Sequence, residues 1–453
     1  MARTAPTFIA LLALAPSAFA QPPAAVAAPA SPSVRITLDD AIAQGLNASS
    51  RLAELQAREH VAEATVAARG AADRPLIGAQ AGYTRTNHVD EFAIAIPGQP
   101  PRVVYPDSPD NYRARLDLQW PIYTGGRADA LERAARAEAS ASEGDVAAAR
   151  ADLRLEITRA FWALATADET ASVLRRSLDA IDAQVADLRS RFAQGLIPPN
   201  DVSAAEAQRA HQRLLALEAA NQRGVAEADL RRLTGNESAG RLEADPGPPP
   251  APHAGGSGVP DANALLASAF LARPERRALE QRAAAAREQV TASGAAWKPQ
   301  LALAGGYDYA RPNPRIFPRT TDWRTSWDAS VNLSWTLWDG GRRAADRALA
   351  VANAAAIEAH RADFDRTLTF EVRQRRLELD SGLAAVTATD EEVRAAADAE
   401  RVVGERYRAG VATSTDVLEA QVARLQAELD RTRASADVRL AQARLARATG
   451  QQP

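Results

Sequence analysis

Residues 326–341 read Ser-Trp-Asp-Ala-Ser-Val-Asn-Leu-Ser-Trp-Thr-Leu-Trp-Asp-Gly-Gly. Every second residue from Trp327 to Leu337 is apolar and those between are polar, which is the period of a β-strand with one apolar face. From Gly341 to Gly410 the chain contains no proline and is rich in alanine, arginine, glutamate and leucine, which favours one long helix. Such a helix would be ~100 Å long. The sequence therefore predicts a strand followed by a helix much longer than those of globular domains.

The same elements occur earlier in the chain, which indicates an internal repeat. At an offset of 215, the corresponding residues are Trp120 and Trp335, Gly126 and Gly341, Gly195 and Gly410, and Asp201 and Asp416. Nearer the start of each copy the offset is 224, as between Tyr83 and Tyr307, so the first copy has nine extra residues before Trp120. Such length differences concentrate in surface loops.

We therefore predict a mainly α fold with a transmembrane β part, built from a duplicated unit. The first repeat covers 37–243, a Pro/Gly-rich linker covers 244–260, the second repeat covers 261–450, and a short tail covers 451–453. Each repeat is expected to contain a helix, two strands and a long coiled-coil hairpin. The predicted strands are 76–85, 113–123, 300–309 and 326–338, and the predicted hairpin tips lie near 195–201 and 410–416.

The first residues of the chain resemble an export signal. Arg3 precedes the apolar run Phe8–Leu14, and Ala18-Phe19-Ala20 forms a small-residue cleavage site, so residues 1–20 are predicted to be a signal peptide. The alternative, a short membrane anchor, would need about 20 apolar residues. Residues 21–36 are predicted to form an Ala/Pro-rich arm without regular structure.

The alternating strands of an exported chain suit either a half-buried soluble sheet or a membrane barrel. Tryptophan placement favours the barrel, because Trp120, Trp327, Trp335 and Trp338 lie at the strands as in an aromatic girdle in contact with outer-membrane lipid. Four strands are too few to close a barrel, and open edges are not tolerated in lipid. The chain is therefore expected to oligomerise, and strand number alone leaves two, three or four copies open.

Composition excludes several other classes of function. The net charge of −3 gives no basic excess for nucleic acid. The chain has no cysteine, and its five histidines lack metal-ligand spacing. We therefore predict no enzyme, with no catalytic residue, cofactor or metal site and no nucleic-acid partner.

The turns and the strand ends resemble those of a known family. The turns are Arg191–Leu196 (RFAQGL) with Asp201-Val202 and Arg406–Val411 (RYRAGV) with Asp416–Ala420 (DVLEA), and the strand ends are 120–126 (WPIYTGG) and 335–341 (WTLWDGG). In these residues, and over nearly the whole chain from 37 to 450, the sequence resembles the TolC-like outer-membrane efflux protein family, the outer-membrane factors of tripartite efflux or type I secretion systems.

The resemblance implies a homotrimer whose strands form one 12-stranded barrel in the outer membrane, with an α-helical tunnel projecting into the periplasm. It implies an exit duct that works with a periplasmic adaptor protein and an inner-membrane pump of unknown type, for drugs, metals or polypeptides. Many relatives carry a lipid on an N-terminal cysteine, so this cysteine-free chain is expected not to be N-terminally lipidated.

The resemblance also implies functional residues at the tips. Asp416, Glu419 and Tyr407 match positions of the periplasmic gate. Gly195, Leu196, Gly410 and Val411 match tips that contact the adaptor. Each has a simpler structural interpretation: glycine for a tight turn, an N-cap for Asp416 and Asp201, a solvated helix face for Glu419, and core packing for Tyr407.

Two other interpretations predict different architectures. A periplasmic adaptor would have one hairpin flanked by β-rich modules rather than two matched copies. A soluble coiled-coil scaffold would not need the strand pairs and their tryptophans.

Overall fold

The computed structural model describes residues 33–246 and 261–451. The predicted signal peptide 1–20, most of the arm 21–36, most of the linker 244–260 and the end of the tail 451–453 lie outside these residues. The helices are α1 Leu38–Ala48, α2 Ser50–Gly70, α3 Arg127–Ala193, α4 Pro199–Thr234, α5 Ala262–Ala272, α6 Pro274–Gly294, α7 Arg342–Arg408 and α8 Ser414–Ala448. The strands are β1 Ser33–Thr37, β2 Leu76–Arg85, β3 Phe92–Ile94, β4 Arg102–Tyr105, β5 Asp110–Tyr123, β6 Arg241–Asp245, β7 Gln300–Arg311 and β8 Arg324–Ser334.

Two uninterrupted helices dominate the mainly helical fold. Helices α3 and α7 each contain 67 residues, so each is ~100 Å long. The returning helices α4 and α8 contain 36 and 35 residues, or ~54 Å. The shorter pairs α1–α2 and α5–α6 lie along the remaining length of the long helices. No helix of the described chain has the length and apolar character of a membrane span.

The two hairpins pack against each other through one face of α8. Near the tips and again further up, leucines of α8 enter buried clusters formed by α3 and α4. The clusters contain Ile181, Val185, Leu188, Ala205 and Leu418, and then Val173, Leu174, Ala219, Leu425 and Leu429. The tips of the two hairpins are therefore held side by side within one chain.

One antiparallel sheet has the strand order β2-β5-β7-β8. Because side chains alternate, one face carries the apolar residues of all four strands, such as Ile77, Leu116, Leu303 and Val331. Ile77 is 73% exposed and Val331 is 64% exposed, so this apolar face has no cover within the chain. Strands β2 and β8 are both edge strands.

The predicted strand 326–338 is too long at its second end. Strand β8 ends at Ser334, which pairs with Gln300, the first residue of β7. Before Gln300 the chain forms a 3₁₀ helix over Ala295–Trp297, so no strand remains to pair with residues beyond 334. The other end of β8 and the loop-side ends of β5 and β7 extend two or three residues further than predicted.

A small parallel sheet forms where the predicted arm ends and the predicted linker begins, so both unstructured segments are shorter than predicted. Residues 33–37, which include the last four residues of the predicted arm, form β1, which pairs with β6 over 241–245, where only residues 244 and 245 belong to the predicted linker. Ile36 and Leu242 are buried in the same core as Phe161 of α3. Apolar burial on the helices thus orders residues that local composition assigned to unstructured segments.

A buried charge network fixes β6 to α4. The backbone N–H of Leu242 donates to the Glu227 carboxylate at 2.9 Å, and Arg231 donates to the same carboxylate at 2.9 Å. Arg223, 9% exposed, donates to Glu227 at 2.5 Å and to Asp168 at 2.6 Å. Burial alone would raise the pKa of Glu227, but these donors together lower it to about 2.

Candidate functional site

Both hairpin tips are built by the same helix-ending motif. Gly195 and Gly410 have φ of 74° and 77°, a left-handed conformation that glycine adopts without steric cost. The next residue closes each turn by donating its backbone N–H five residues back, from Leu196 to Arg191 at 3.0 Å and from Val411 to the equivalent carbonyl at 2.9 Å. Leu196 and Val411 are 68% and 63% exposed, so each tip presents an apolar side chain to solvent.

Asp416 occupies a different capping position from the predicted one. The N-cap of α8 is Thr413, whose hydroxyl accepts the Asp416 N–H at 3.2 Å, while the Asp416 carboxylate accepts the Thr413 N–H at 2.7 Å. This reciprocal pair is a capping box. The Asp201 prediction is also wrong, because α4 has Pro198 at its N-cap. In both hairpins the N-cap lies three residues before the predicted aspartate, and Pro198, unlike Thr413, makes no side-chain capping hydrogen bond.

The carboxylate of Asp416 remains charged and accessible. Its pKa is lowered, first by the backbone hydrogen bond from Thr413, then by the Thr413 side chain and the nearby Arg406 guanidinium. Glu419 is exposed one turn further along α8, so both carboxylates lie near one face of the helix. The residues between them, Val417 and Leu418, are buried. The arrangement gives two solvated acids beside the paired tips.

Tyr407 joins the tips of the two hairpins. The guanidinium of Arg191, near the end of α3, lies 5.0 Å from the centre of the Tyr407 ring, within cation–π range. Arg191 is itself paired with Asp187 one turn earlier, at 2.9 Å. The Tyr407 hydroxyl is buried without a hydrogen-bond partner. In the sequence, Arg191 stood out only as part of the RFAQGL motif, and Asp187 was not predicted to take part. Their spacing of four residues is nevertheless the usual signal of an ion pair on a helix.

A second charged contact joins the hairpins further from the tips. Arg424 of α8 pairs with Glu400 of α7 at 2.7 Å and with Glu428 at 3.0 Å. Arg176 of α3 lies 3.9 Å from Glu428. The sequence showed these residues only as part of a solvated helix face.

The predicted aromatic girdle is split between the two ends of the sheet. At the helix end, Trp120 donates its indole N–H to the Asp73 carbonyl, just before β2, at 3.0 Å. Trp335 donates in the same way to the Trp297 carbonyl, just before β7, at 3.1 Å. Trp338 follows the end of β8 and is 85% exposed. Trp327 lies on β8 near the loop end and is 73% exposed.

Three tyrosines that the girdle prediction left out form an aromatic cluster at the loop end. Tyr83, Tyr112 and Tyr309 lie there with Trp323, with ring-centre distances of 4.7–5.8 Å. From Tyr112 to Trp120 the strand rises about 26 Å, which is ~20 Å along the axis at the ~40° tilt of barrel strands, compared with the ~25 Å apolar band of such barrels. Aromatic residues therefore lie at both ends of the apolar face.

The opposite face of the sheet carries charge. The guanidinium of Arg115 contacts Asp117 at 2.5 Å, pairs with Asp308, and lies 3.3 Å from Asp328. It crosses Gly306, where a Cβ atom would be 2.1 Å from the guanidinium. A glycine on β7 thus makes room for this cross-strand network. Within the described ranges, no cluster of three His, Asp or Glu side chains could hold a metal ion.

A sheet with one apolar and one charged face, continued by helical hairpins of ~100 Å, is the architecture of outer-membrane channels of the efflux class. The family model for outer membrane efflux proteins matches residues 41–236 and 265–451. The chain therefore belongs to the outer membrane efflux protein family and is an outer-membrane exit duct for efflux, not a periplasmic adaptor or a scaffold.

Three solved structures show the same fold. A membrane protein from Pseudomonas aeruginosa is 22% identical, with a TM-score of 0.77 over 91% of this chain and 92% of its own. The outer membrane protein VceC from Vibrio cholerae is 22% identical, with a TM-score of 0.75 over 91% of this chain and 96% of its own. The open state of the Neisseria gonorrhoeae MtrE outer membrane channel is 19% identical, with a TM-score of 0.73 over 92% of this chain and 89% of its own. No curated protein has significant sequence similarity to the chain.

Proposed function

We propose that three copies of this chain form a 12-stranded barrel in the outer membrane and a helical tunnel in the periplasm. The observation that carries this proposal is the four-stranded sheet, which exposes its apolar face and leaves β2 and β8 unpaired. An apolar sheet with open edges is unstable both in water and in lipid, and pairing β8 of one copy with β2 of the next removes the edges. Three copies supply twelve strands, the number that the family resemblance implies.

The long helices support assembly in the same way. Leu214, Leu217 and Val225 of α4 are 52–65% exposed, and Phe370 and Leu377 of α7 are 67% and 68% exposed. Because α3 and α8 pack together inside the chain, α4 and α7 are the helices left with free apolar faces. In a closed ring these faces meet between neighbouring copies and bury surface that is costly to leave in water.

The tips are the proposed periplasmic end. The duplicated unit places both strand-to-helix junctions at one end of the sheet, so the hairpins project to the same side. Three copies would bring six carboxylates, from Asp416 and Glu419, around the entrance, where they attract cations. Tyr407 and Arg191 hold the two hairpins of a chain together in the closed entrance. The exposed tips, Gly195–Leu196 and Gly410–Val411, contact the adaptor, which connects the duct to an inner-membrane pump.

The mass of the complex tests this proposal. The protein is extracted in detergent from a purified outer-membrane fraction, and the mass is corrected for bound detergent. Three chains in that fraction are the expected result. A water-soluble monomer recovered from the periplasm would contradict the shared barrel.

A further inference from the structure

The loop between β7 and β8 folds back over the charged face of the sheet. Asn313 is 2% exposed and donates to the Ser326 hydroxyl at 3.0 Å. Arg315 lies 2.9 Å from the Asp328 carboxylate. Ser326 and Asp328 belong to the polar face of β8, because they alternate with the apolar residues of that strand. Residues 312–319, the strap, therefore lie on the polar side.

The strap crosses this face instead of following its own strand. A cavity lies between the strap and the polar face of β2 and β5, the two strands on the other side of β7 from β8. Its lining includes Pro312 and Arg319 of the strap, Gln80 and Thr84 of β2, and Arg113 and Arg115 of β5. The strap thus covers a width of sheet that reaches from β8 toward β2.

The far end of the strap is fixed to the other loop at this end of the sheet. The backbone N–H of Arg319 donates to the Val104 carbonyl of β4 at 3.2 Å. Its guanidinium donates to the Tyr105 hydroxyl at 2.6 Å and lies 4.5 Å from the centre of that ring. Val104 is 7% exposed. The β3–β4 ribbon and the strap therefore form one connected unit.

We propose that the strap narrows the outer mouth of the duct and sets the size of solute that leaves it, separately from the periplasmic entrance. The inference rests on the proposed function, because the polar face lines the lumen only in a closed barrel. Three straps then occupy the mouth, and each carries Phe317, which is 77% exposed. Apolar rings in a water-filled passage hinder hydrated solutes. The Asn313 and Arg315 contacts hold each strap in place.

The natural absence of cysteine allows a direct test with engineered cysteines. Asn332→Cys places a thiol on the polar face of β8, deeper in the barrel than Asp328. Intact cells are treated from outside with a small maleimide or with a polyethylene-glycol maleimide. The bulky reagent is expected to label the thiol slowly while the strap is held, and about two- to fivefold faster with Arg315→Gln, the order expected for loss of one partly exposed ion pair.

Controls separate the strap from the barrel. Arg85→Gln removes an arginine at the same end of the sheet whose partner, Asp110 at 3.3 Å, does not belong to the strap, and it should leave the labelling rate unchanged. Asn313→Ala is a second way of releasing the strap if Arg315→Gln does not fold. Equal rates of bulky labelling with the strap held and released would overturn the proposal. Failure of both reagents to reach Gln99→Cys, an exposed position at the turn of the ribbon, would instead contradict the proposed orientation in the outer membrane.

Discussion

Replacing Arg191 with glutamine should favour the open state of the periplasmic entrance. Its guanidinium lies 5.0 Å from the centre of the Tyr407 ring, a cation–π contact that joins the ends of the two hairpins. Within α3, Arg191 also pairs with Asp187 at 2.9 Å. Glutamine keeps the helix and much of the side-chain volume but removes the charge. The cation–π contact between the two hairpins is therefore weakened without a change in the core, and the ion pair lost with it lies within α3.

The size of the effect follows from the exposure of these groups. Arg191 and Asp187 both lie on α3, so their ion pair is present whether or not the hairpins separate and does not change the balance between the two states. The cation–π contact, with Arg191 37% exposed, contributes about 0.5–1 kcal/mol for each chain. If three chains open together, the closed state loses ~1.5–3 kcal/mol, which corresponds to about a 10- to 100-fold rise in the ratio of open to closed channels.

Single-channel recording in planar bilayers measures this ratio as an open probability. The matched control is Arg189→Gln, two residues earlier, because Arg189 donates to Glu206 at 2.9 Å within the first hairpin and does not reach the second. The control should behave as the natural protein. An equal open probability for Arg191→Gln and Arg189→Gln would refute the role of Arg191 at the entrance.

Three further variants test other parts of the molecule. The pKa of Glu227 is about 2 against an ordinary value near 4.5, so its charge stabilises the fold above about pH 4.5 by up to ~3 kcal/mol, and this is lost as the pH falls toward 2. Glu227→Gln should therefore lower the thermal midpoint at pH 7 and reduce its fall between pH 5 and 3; an unchanged midpoint at pH 7 would contradict this. Asp416→Ala with Glu419→Ala should alter conductance and lower cation selectivity, and unchanged values would contradict the gate assignment but leave the channel intact. Gly410→Ala should destabilise the tip by ~1 kcal/mol because of its positive φ, whereas Gly404→Ala inside α7 should stabilise by a similar amount, as measured by thermal melting; equal shifts would count against the turn assignment.

The features that local sequence predicts are those whose causes are local. Helix α7 follows from a long run of helix-favouring residues, and its end follows from Gly410, which accepts the left-handed turn. The alternation from Trp327 to Leu333 likewise reports one strand and its two faces. At the tip, however, Thr413 and Asp416 are both good capping residues, and the chain uses the first as the N-cap and the second to close the box.

What the sequence did not predict depends on partners distant in the chain. The alternating pattern continues to Leu337, yet β8 stops at Ser334, because a strand extends only as far as its neighbour, and β7 begins at Gln300. Strand β1 forms next to a segment rich in alanine and proline because β6, about 200 residues away, offers it both hydrogen bonds and a buried core. The strap is the same case at the other end of the molecule: nothing in the spacing of Asn313 and Arg315 indicates the face on which they lie. Their partners Ser326 and Asp328 fix that face, so the proposed role of the two residues in the channel follows only from the assembled sheet.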